Sequence, residues 1–124
     1  MAATKLDAAG TQKVKTLEEA LQALQTIHGM VERMAMDVKA QRSSGILPQQ
    51  IKRLGGNLQG QLKGQFGLLA DQVAQMVLAA GRGGSETVRV RVLREFIGQL
   101  RTALEINVSK VKKEHAVDIE LAAD

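Results

Sequence analysis

The apolar residues of this chain recur at alternating steps of four and three, which is the period of an amphipathic helix packed in a bundle. In the first third of the chain the apolar stripe contains Leu17, Leu21, Leu24, His28, Val31, Ala35 and Val38. Thr16 and Glu19 stand at the spacing of a capping box, in which each side chain satisfies a free amide at the helix start. The pattern therefore predicts a helix over 16–42, preceded by a disordered arm at 1–15.

Two more stripes of the same period follow. The second contains Ile51, Leu54, Leu58, Leu62, Phe66, Leu69, Val73, Met76 and Ala80. Pro48 suits the first turn of this helix and the glycines after position 80 end it, so the pattern predicts one helix over 48–81. Ser85 is placed to cap a third helix, predicted over 85–119. Its apolar stripe contains Leu93, Ile97, Leu100, Leu104, Val108 and Val111. Residues 87–92 alternate like a strand, but no second strand pattern exists to pair with them, so they are assigned to that helix.

Three helices joined by short linkers predict an all-α fold, an antiparallel bundle spanning 16–121 with a tail at 122–124. At 1.5 Å per residue these helices would be about 40 to 50 Å long. Such long helices in 124 residues leave a thin core. We therefore expect the chain to complete its core by homo-oligomerisation, in the manner of a coiled coil.

Glycines are concentrated in the predicted second helix. Each glycine inside a helix costs about 1 kcal/mol relative to alanine, so a compensating role is expected. At 100° per residue, most of them project away from the leucine stripe. A row of small residues lets another helix approach closely, and neighbouring glutamine amides can bond across the contact without burying charge. The predicted oligomer and partner interface is Gly56, Gly60, Gly64, Gly67, Ala74, Gln61 and Gln65.

Two other interpretations of these glycines stay open at the level of sequence. The glycine and glutamine side of the helix can be a solvated, weakly helical face. Alternatively, Gly55 and Gly56 can mark a break, with the helix beginning after them.

Composition excludes several kinds of chemistry. The chain has no Cys, which excludes disulfides, thiolate metal sites and thiol nucleophiles. It also has no Trp and no Tyr. No uncharged run approaches the roughly 18 to 20 residues that span a bilayer, and no leader pattern opens the chain, so we expect a cytoplasmic protein without a membrane span. We find no catalytic constellation, no metal site and no phosphate-binding loop, and expect no enzyme activity, cofactor or small-molecule substrate.

The two histidines favour structural roles. His28 lies on the apolar stripe with Glu32 one turn later, which favours an edge histidine paired with that carboxylate over a metal ligand. Phosphotransfer at His28 is a weaker alternative, because the Lys and Gly expected after an exposed phosphoacceptor are missing. His115 lies next to the acidic tail and is expected to be solvated.

A basic ridge along the third helix supplies the alternative function. The net charge is +4, and the candidate contacts to a nucleic-acid backbone are Arg82, Arg89, Arg91, Arg94, Arg101 and Lys112. Pairing of Arg91 with Glu95 and of Arg101 with Glu105 would neutralise part of this ridge. The preferred hypothesis is a non-enzymatic structural or adaptor module that associates with itself and with another protein. Binding to RNA or DNA backbone is the alternative.

Overall fold

The computed structural model describes residues 4–118 and contains four α-helices with a short β-ribbon. The helices are α1 (Ala8–Lys39), α2 (Leu47–Lys63), α3 (Gly67–Gly81) and α4 (Glu86–Glu114). Strands β1 (Thr4–Leu6) and β2 (Ala116–Asp118) pair antiparallel, with Thr4 opposite Asp118. The all-α class is confirmed, but the bundle has four helices rather than three.

The predicted second helix over 48–81 is wrong, because the chain reverses between α2 and α3. The amides of Gln65 and Phe66 both donate to the carbonyl of Leu62, and Phe66 leaves the helical conformation at φ −134° and ψ 64°. The spacing of the apolar residues does not change at the turn, because Leu62 before the turn and Leu69 after it are both buried in the same core. A helix and a helical hairpin therefore have the same local pattern here.

The first helix begins at Ala8, eight residues before the expected start at Thr16. The Asp7 carboxylate caps it by accepting a hydrogen bond from the Gly10 amide at 2.7 Å. Thr16 instead donates its hydroxyl to the Gln12 carbonyl inside the helix. The expected disordered arm is thus wrong for residues 4–15, where strand and helix form, and residues 1–3 lie outside the described residues.

The last helix matches its predicted start and ends earlier than expected. Ser85 caps α4 by accepting from the Val88 amide at 3.4 Å, and residues 87–92 are helical as predicted. The chain leaves the helix after Glu114 and continues into β2. The predicted tail at 122–124 lies outside the described residues.

The two long helices, α1 and α4, run antiparallel, and the shorter α2 and α3 form a hairpin that packs on them. By the helical rise, α1 is about 48 Å long and α2 about 25 Å, so the hairpin flanks only part of the long pair. The hairpin lies at the end where Ser44 donates to Glu86 at 2.6 Å. At the opposite end, the β-ribbon closes the long pair.

The core is continuous across the four helices. Its largest fully buried side chains include Leu17, Leu24, Ile27, Met34, Ile51, Leu58, Leu62, Met76, Leu93, Leu100 and Leu104. Most of these residues belong to the stripes predicted from the sequence. None of the helices in the described range has an apolar stretch long enough to cross a membrane.

Candidate functional site

The outer side of α2 carries exposed glycines, as the helical rotation predicted. Gly56 and Gly60 lie opposite the buried Ile51, Leu58 and Leu62. A Cβ placed on either glycine would have no heavy atom within 4 Å. No side chain among the described residues packs on this part of the helix.

The expected interface residues are divided by the turn between the two helices. Gly64, Gln65 and Gly67 lie at the turn and are exposed, and Ala74 is half-buried on α3. Gln61 is exposed near the end of α2. The structure therefore does not place the seven residues on one helical face; it places them along the outside and the tip of a hairpin.

The closest approach between helices at a glycine in this region occurs at Gly55, which sequence reasoning did not select. A Cβ at Gly55 would lie 2.5 Å from the Val77 side chain on α3, so this glycine lets α2 and α3 pack closely. The signal was available in the pattern, because Gly55 lies four residues after Ile51 and seven before Leu62, toward the apolar side of α2. Its role is internal to the hairpin.

Between positions 54 and 81 the outside of the hairpin is apolar and amide-rich, and the exposed Lys52 and Arg53 precede this stretch on α2. Leu68 is 83% exposed and Leu78 is 57% exposed, although both are large aliphatic side chains. We use the term hairpin surface for the exposed Gly56, Gly60, Gln61, Gln65, Leu68, Gln72, Gln75 and Leu78. Lys63 and Asp71 are the charged residues between positions 54 and 81. This surface resembles the centre of a protein interface more than an ordinary charged surface.

Three of the six ridge cations bond within the chain. Arg94 forms a two-pronged contact with Glu32 on α1, with Nε 2.7 Å and Nη2 2.9 Å from the carboxylate oxygens. The hydrogen-bonded guanidinium lowers the pKa of Glu32, and the carboxylate in turn raises the pKa of Arg94. Arg101 contacts His28 Nδ1 at 3.2 Å, and Arg89 donates to the carbonyl of Arg82. These arginines therefore join elements of the fold.

The other three ridge cations, Arg82, Arg91 and Lys112, are exposed. In the part of the chain that the structure describes, none of them lies within 4.0 Å of a carboxylate. The expected pairs of Arg91 with Glu95 and of Arg101 with Glu105 do not form at that distance either. The six residues thus divide into three structural arginines and three solvent-facing cations.

His28 lies at the edge between α1 and α4, with its Nε2 4.0 Å from Glu32. Its position beside Glu32 agrees with the prediction. The expectation that His115 is solvated is wrong. Its Nδ1 lies 3.1 Å from the Asp7 carboxylate, its Nε2 lies 3.3 Å from Lys13 Nζ, and its side chain is 19% exposed. Within residues 4–118, no three acidic or imidazole side chains converge as metal ligands would.

A cavity between α3 and the start of α4 was not expected from the sequence. Its volume is about 210 Å³. Its lining includes Ala79, Val88 and Val92, together with Arg82 and Arg89. In sequence these arginines belong to the basic ridge, and only the packing of α3 against α4 brings them to one concave surface.

Comparison of the chain with protein-family models, with curated proteins and with solved structures gives no match.

Proposed function

We propose that this protein is a non-enzymatic structural or adaptor module that self-associates and docks a protein partner through the hairpin surface. The observation that carries this proposal is the open space over two glycines one turn apart, Gly56 and Gly60, in the middle of one helix. Each of these two glycines destabilises the helix by about 1 kcal/mol relative to alanine. Close packing on Val77 accounts for Gly55 but for neither of these two.

A second helix packed on Gly56 and Gly60 would make close helix–helix contacts that the single chain does not make there. Without side chains between them, two helix backbones approach closely, and dispersion contacts increase over the whole crossing. The nearby Gln61 and Gln65 amides can bond across the contact. The exposed Lys52, Arg53 and Lys63 lie within one turn of these glycines, so their charged groups are expected to stay in water at the rim of the contact. An interface that extends to α3 would also cover the exposed Leu68 and Leu78. Low charge and buried aliphatic area are typical of the centre of protein interfaces.

The first experiment compares Gly60→Leu with two matched controls. Gly29 and Gly98 are also exposed glycines inside helices, with nothing within 4 Å of a Cβ, but they lie on α1 and α4. We expect Gly60→Leu to lower the solution mass by light scattering over a concentration series while helix content by circular dichroism stays high. Gly29→Leu and Gly98→Leu should leave the mass unchanged.

A cross-linking experiment locates the contact. Because the chain has no Cys, a single introduced cysteine reports on one position. We expect Gly60→Cys to form a disulfide-linked dimer under mild oxidation and Gly29→Cys to remain monomeric. A wild-type protein that is monomeric at every concentration, with no dimer from Gly60→Cys, would contradict self-association through this surface.

The alternative, binding to a nucleic-acid backbone, is supported by the three solvent-facing cations Arg82, Arg91 and Lys112. Arg91→Glu is the sharper test of it, because a change at Arg94 would also release Glu32. Binding should weaken steeply with salt, by about one power of salt concentration for each phosphate contact. Absence of binding to duplex DNA or RNA at low salt would exclude this function.

A further inference from the structure

The cavity between α3 and α4 combines an apolar wall with two cationic groups. We call it the α3–α4 cavity and define it by Ala79, Arg82, Ser85, Val88, Arg89 and Val92. Its volume of about 210 Å³ corresponds to roughly seven water molecules at about 30 Å³ each. This space is smaller than the roughly 300 to 1,000 Å³ of typical ligand pockets, so it suits a small organic molecule.

Arg89 is held in one position at this cavity and has an unsatisfied donor. Its Nη2 donates to the carbonyl of Arg82, which fixes the guanidinium against the loop before α4. Its Nε is buried and has no hydrogen-bond partner. A buried donor without an acceptor costs about 1 to 3 kcal/mol, and more when the group is charged. Besides Nε and the N–H bonded to Arg82, the guanidinium of Arg89 has further N–H donors, and Arg89 lines the cavity.

The two guanidinium groups at the cavity form no ion pair within the described residues. Neither Arg82 nor Arg89 lies within 4.0 Å of a carboxylate among residues 4–118. Glu86, the acidic residue of the first turn of α4, accepts a hydrogen bond from Ser44 in the loop between α1 and α2. A guanidinium remains charged throughout the physiological pH range, so the cavity favours an anionic ligand.

We propose that the α3–α4 cavity binds a small organic carboxylate with a compact apolar body. The apolar body lies against Ala79, Val88 and Val92, and the carboxylate accepts hydrogen bonds from the guanidinium of Arg89, with Arg82 contributing charge. Planar guanidinium groups match the geometry of carboxylates, and such charge-assisted bonds are stronger than neutral ones. This site is separate from the hairpin surface and does not depend on the adaptor function.

Benzoate is the probe for this site, with two partial mimics beside it. Benzyl alcohol keeps the apolar ring without the charge, and sulfate keeps the charge without the ring. We expect benzoate to shift the backbone amide signals of Val88 and Val92 saturably in a ¹⁵N–¹H titration. Each mimic should bind about tenfold more weakly or not at all, since each lacks one of the two contacts.

Variants assign the contact to named side chains. Arg89→Gln removes the guanidinium and should weaken benzoate binding about tenfold or more, whereas Arg91→Gln, on the exposed side of the same helix, should leave it within about twofold. Val88 is 47% exposed, so we expect Val88→Phe to keep the fold, fill the cavity and abolish benzoate binding without changing either arginine.

Four outcomes would overturn the proposal. Equal binding of benzyl alcohol would show a purely apolar cavity. Equal binding of sulfate at the same amides would show a surface ion site. Equal losses in Arg89→Gln and Arg91→Gln would show a general charge effect. No saturable shift with benzoate would show that the cavity holds only water.

Discussion

Asp7 and His115 stand 108 positions apart in the sequence and bond to each other in the fold. Both oxygens of the Asp7 carboxylate lie within 3.2 Å of His115 Nδ1, and the Asp7 amide donates to the His115 carbonyl at 3.1 Å. One carboxylate thus caps the start of α1 and holds the end of α4. We call this group, with Gly10 and Lys13, the terminal clasp. It joins the two ends of the described chain beside the β-ribbon.

The terminal clasp should make stability depend on acid pH through Asp7. The hydrogen bond from the Gly10 amide, followed by the contact with His115, lowers the pKa of Asp7 below its ordinary value of 3.8. The Asp7 carboxylate therefore binds a proton more readily in the unfolded chain than in the folded one. The stabilising contribution of Asp7 is therefore present above about pH 4 and is lost as the pH falls through the lowered pKa. Thermal unfolding followed by circular dichroism across this range measures it.

The control for this prediction separates the charge from the cap. Asparagine caps a helix as well as aspartate does but carries no charge. The melting temperatures of wild type and Asp7→Asn should therefore differ at neutral pH and converge in acid. Asp7→Ala, which removes the cap as well, should stay below Asp7→Asn at every pH. A constant difference between wild type and Asp7→Asn would contradict the assignment of this titration to Asp7.

Gly10 allows His115 to approach α1. A Cβ at this position would overlap the Cβ of His115, so Gly10→Ala should destabilise the protein although alanine favours helix. Gly29→Ala is the matched control in the same helix, with open space at its Cβ, and should stabilise by about 0.5 to 1 kcal/mol. Urea unfolding of the two variants beside wild type tests the sign of each change.

Two adjacent glycines of α2 should respond in opposite directions to the same substitution. Gly55→Ala places a methyl group 2.5 Å from a stiff, β-branched Val77, and we expect a loss of about 1 to 2 kcal/mol. Gly56→Ala faces open space and should gain about 0.5 to 1 kcal/mol in the monomer.

Shortening the Val77 side chain tests whether its contact causes the destabilisation expected for Gly55→Ala. Val77→Ala removes the group that the new methyl would meet, so Gly55→Ala should cost less in a Val77→Ala background than in wild type. Chemical denaturation of the four proteins of this cycle gives the coupling energy. Equal costs in the two backgrounds would show that Gly55 is required for another reason.

The Glu32 and Arg94 pair should contribute modestly to stability. Their side chains are 44% and 49% exposed, so solvent screens most of the Coulomb attraction. A double-mutant cycle with Glu32→Gln and Arg94→Gln should give a coupling of about 0.5 to 1 kcal/mol, near the upper end for exposed pairs because the contact is two-pronged. The coupling should shrink in high salt. Arg91→Gln, at an exposed arginine with no carboxylate within 4.0 Å in the described range, should cost little.

The sequence by itself determined the helical class, most of the core and the outward direction of Gly56 and Gly60. These properties follow from the 3.6-residue period, which each segment carries locally and which packing does not alter. The cap at Ser85 followed from the same local chemistry. The direction of a side chain around its helix is thus readable from spacing alone.

Only the tertiary structure decided where the second stripe turns back and which distant residues meet. The steps from Leu62 to Phe66 to Leu69 fit one straight helix and a hairpin equally well, because both bury the same stripe. Two contacts join distant segments: Asp7 bonds to His115, and Glu32 bonds to Arg94. The cavity at Arg89 forms only because α3 packs against the start of α4. Such contacts depend on how the helices pack against one another, and no local spacing records that arrangement.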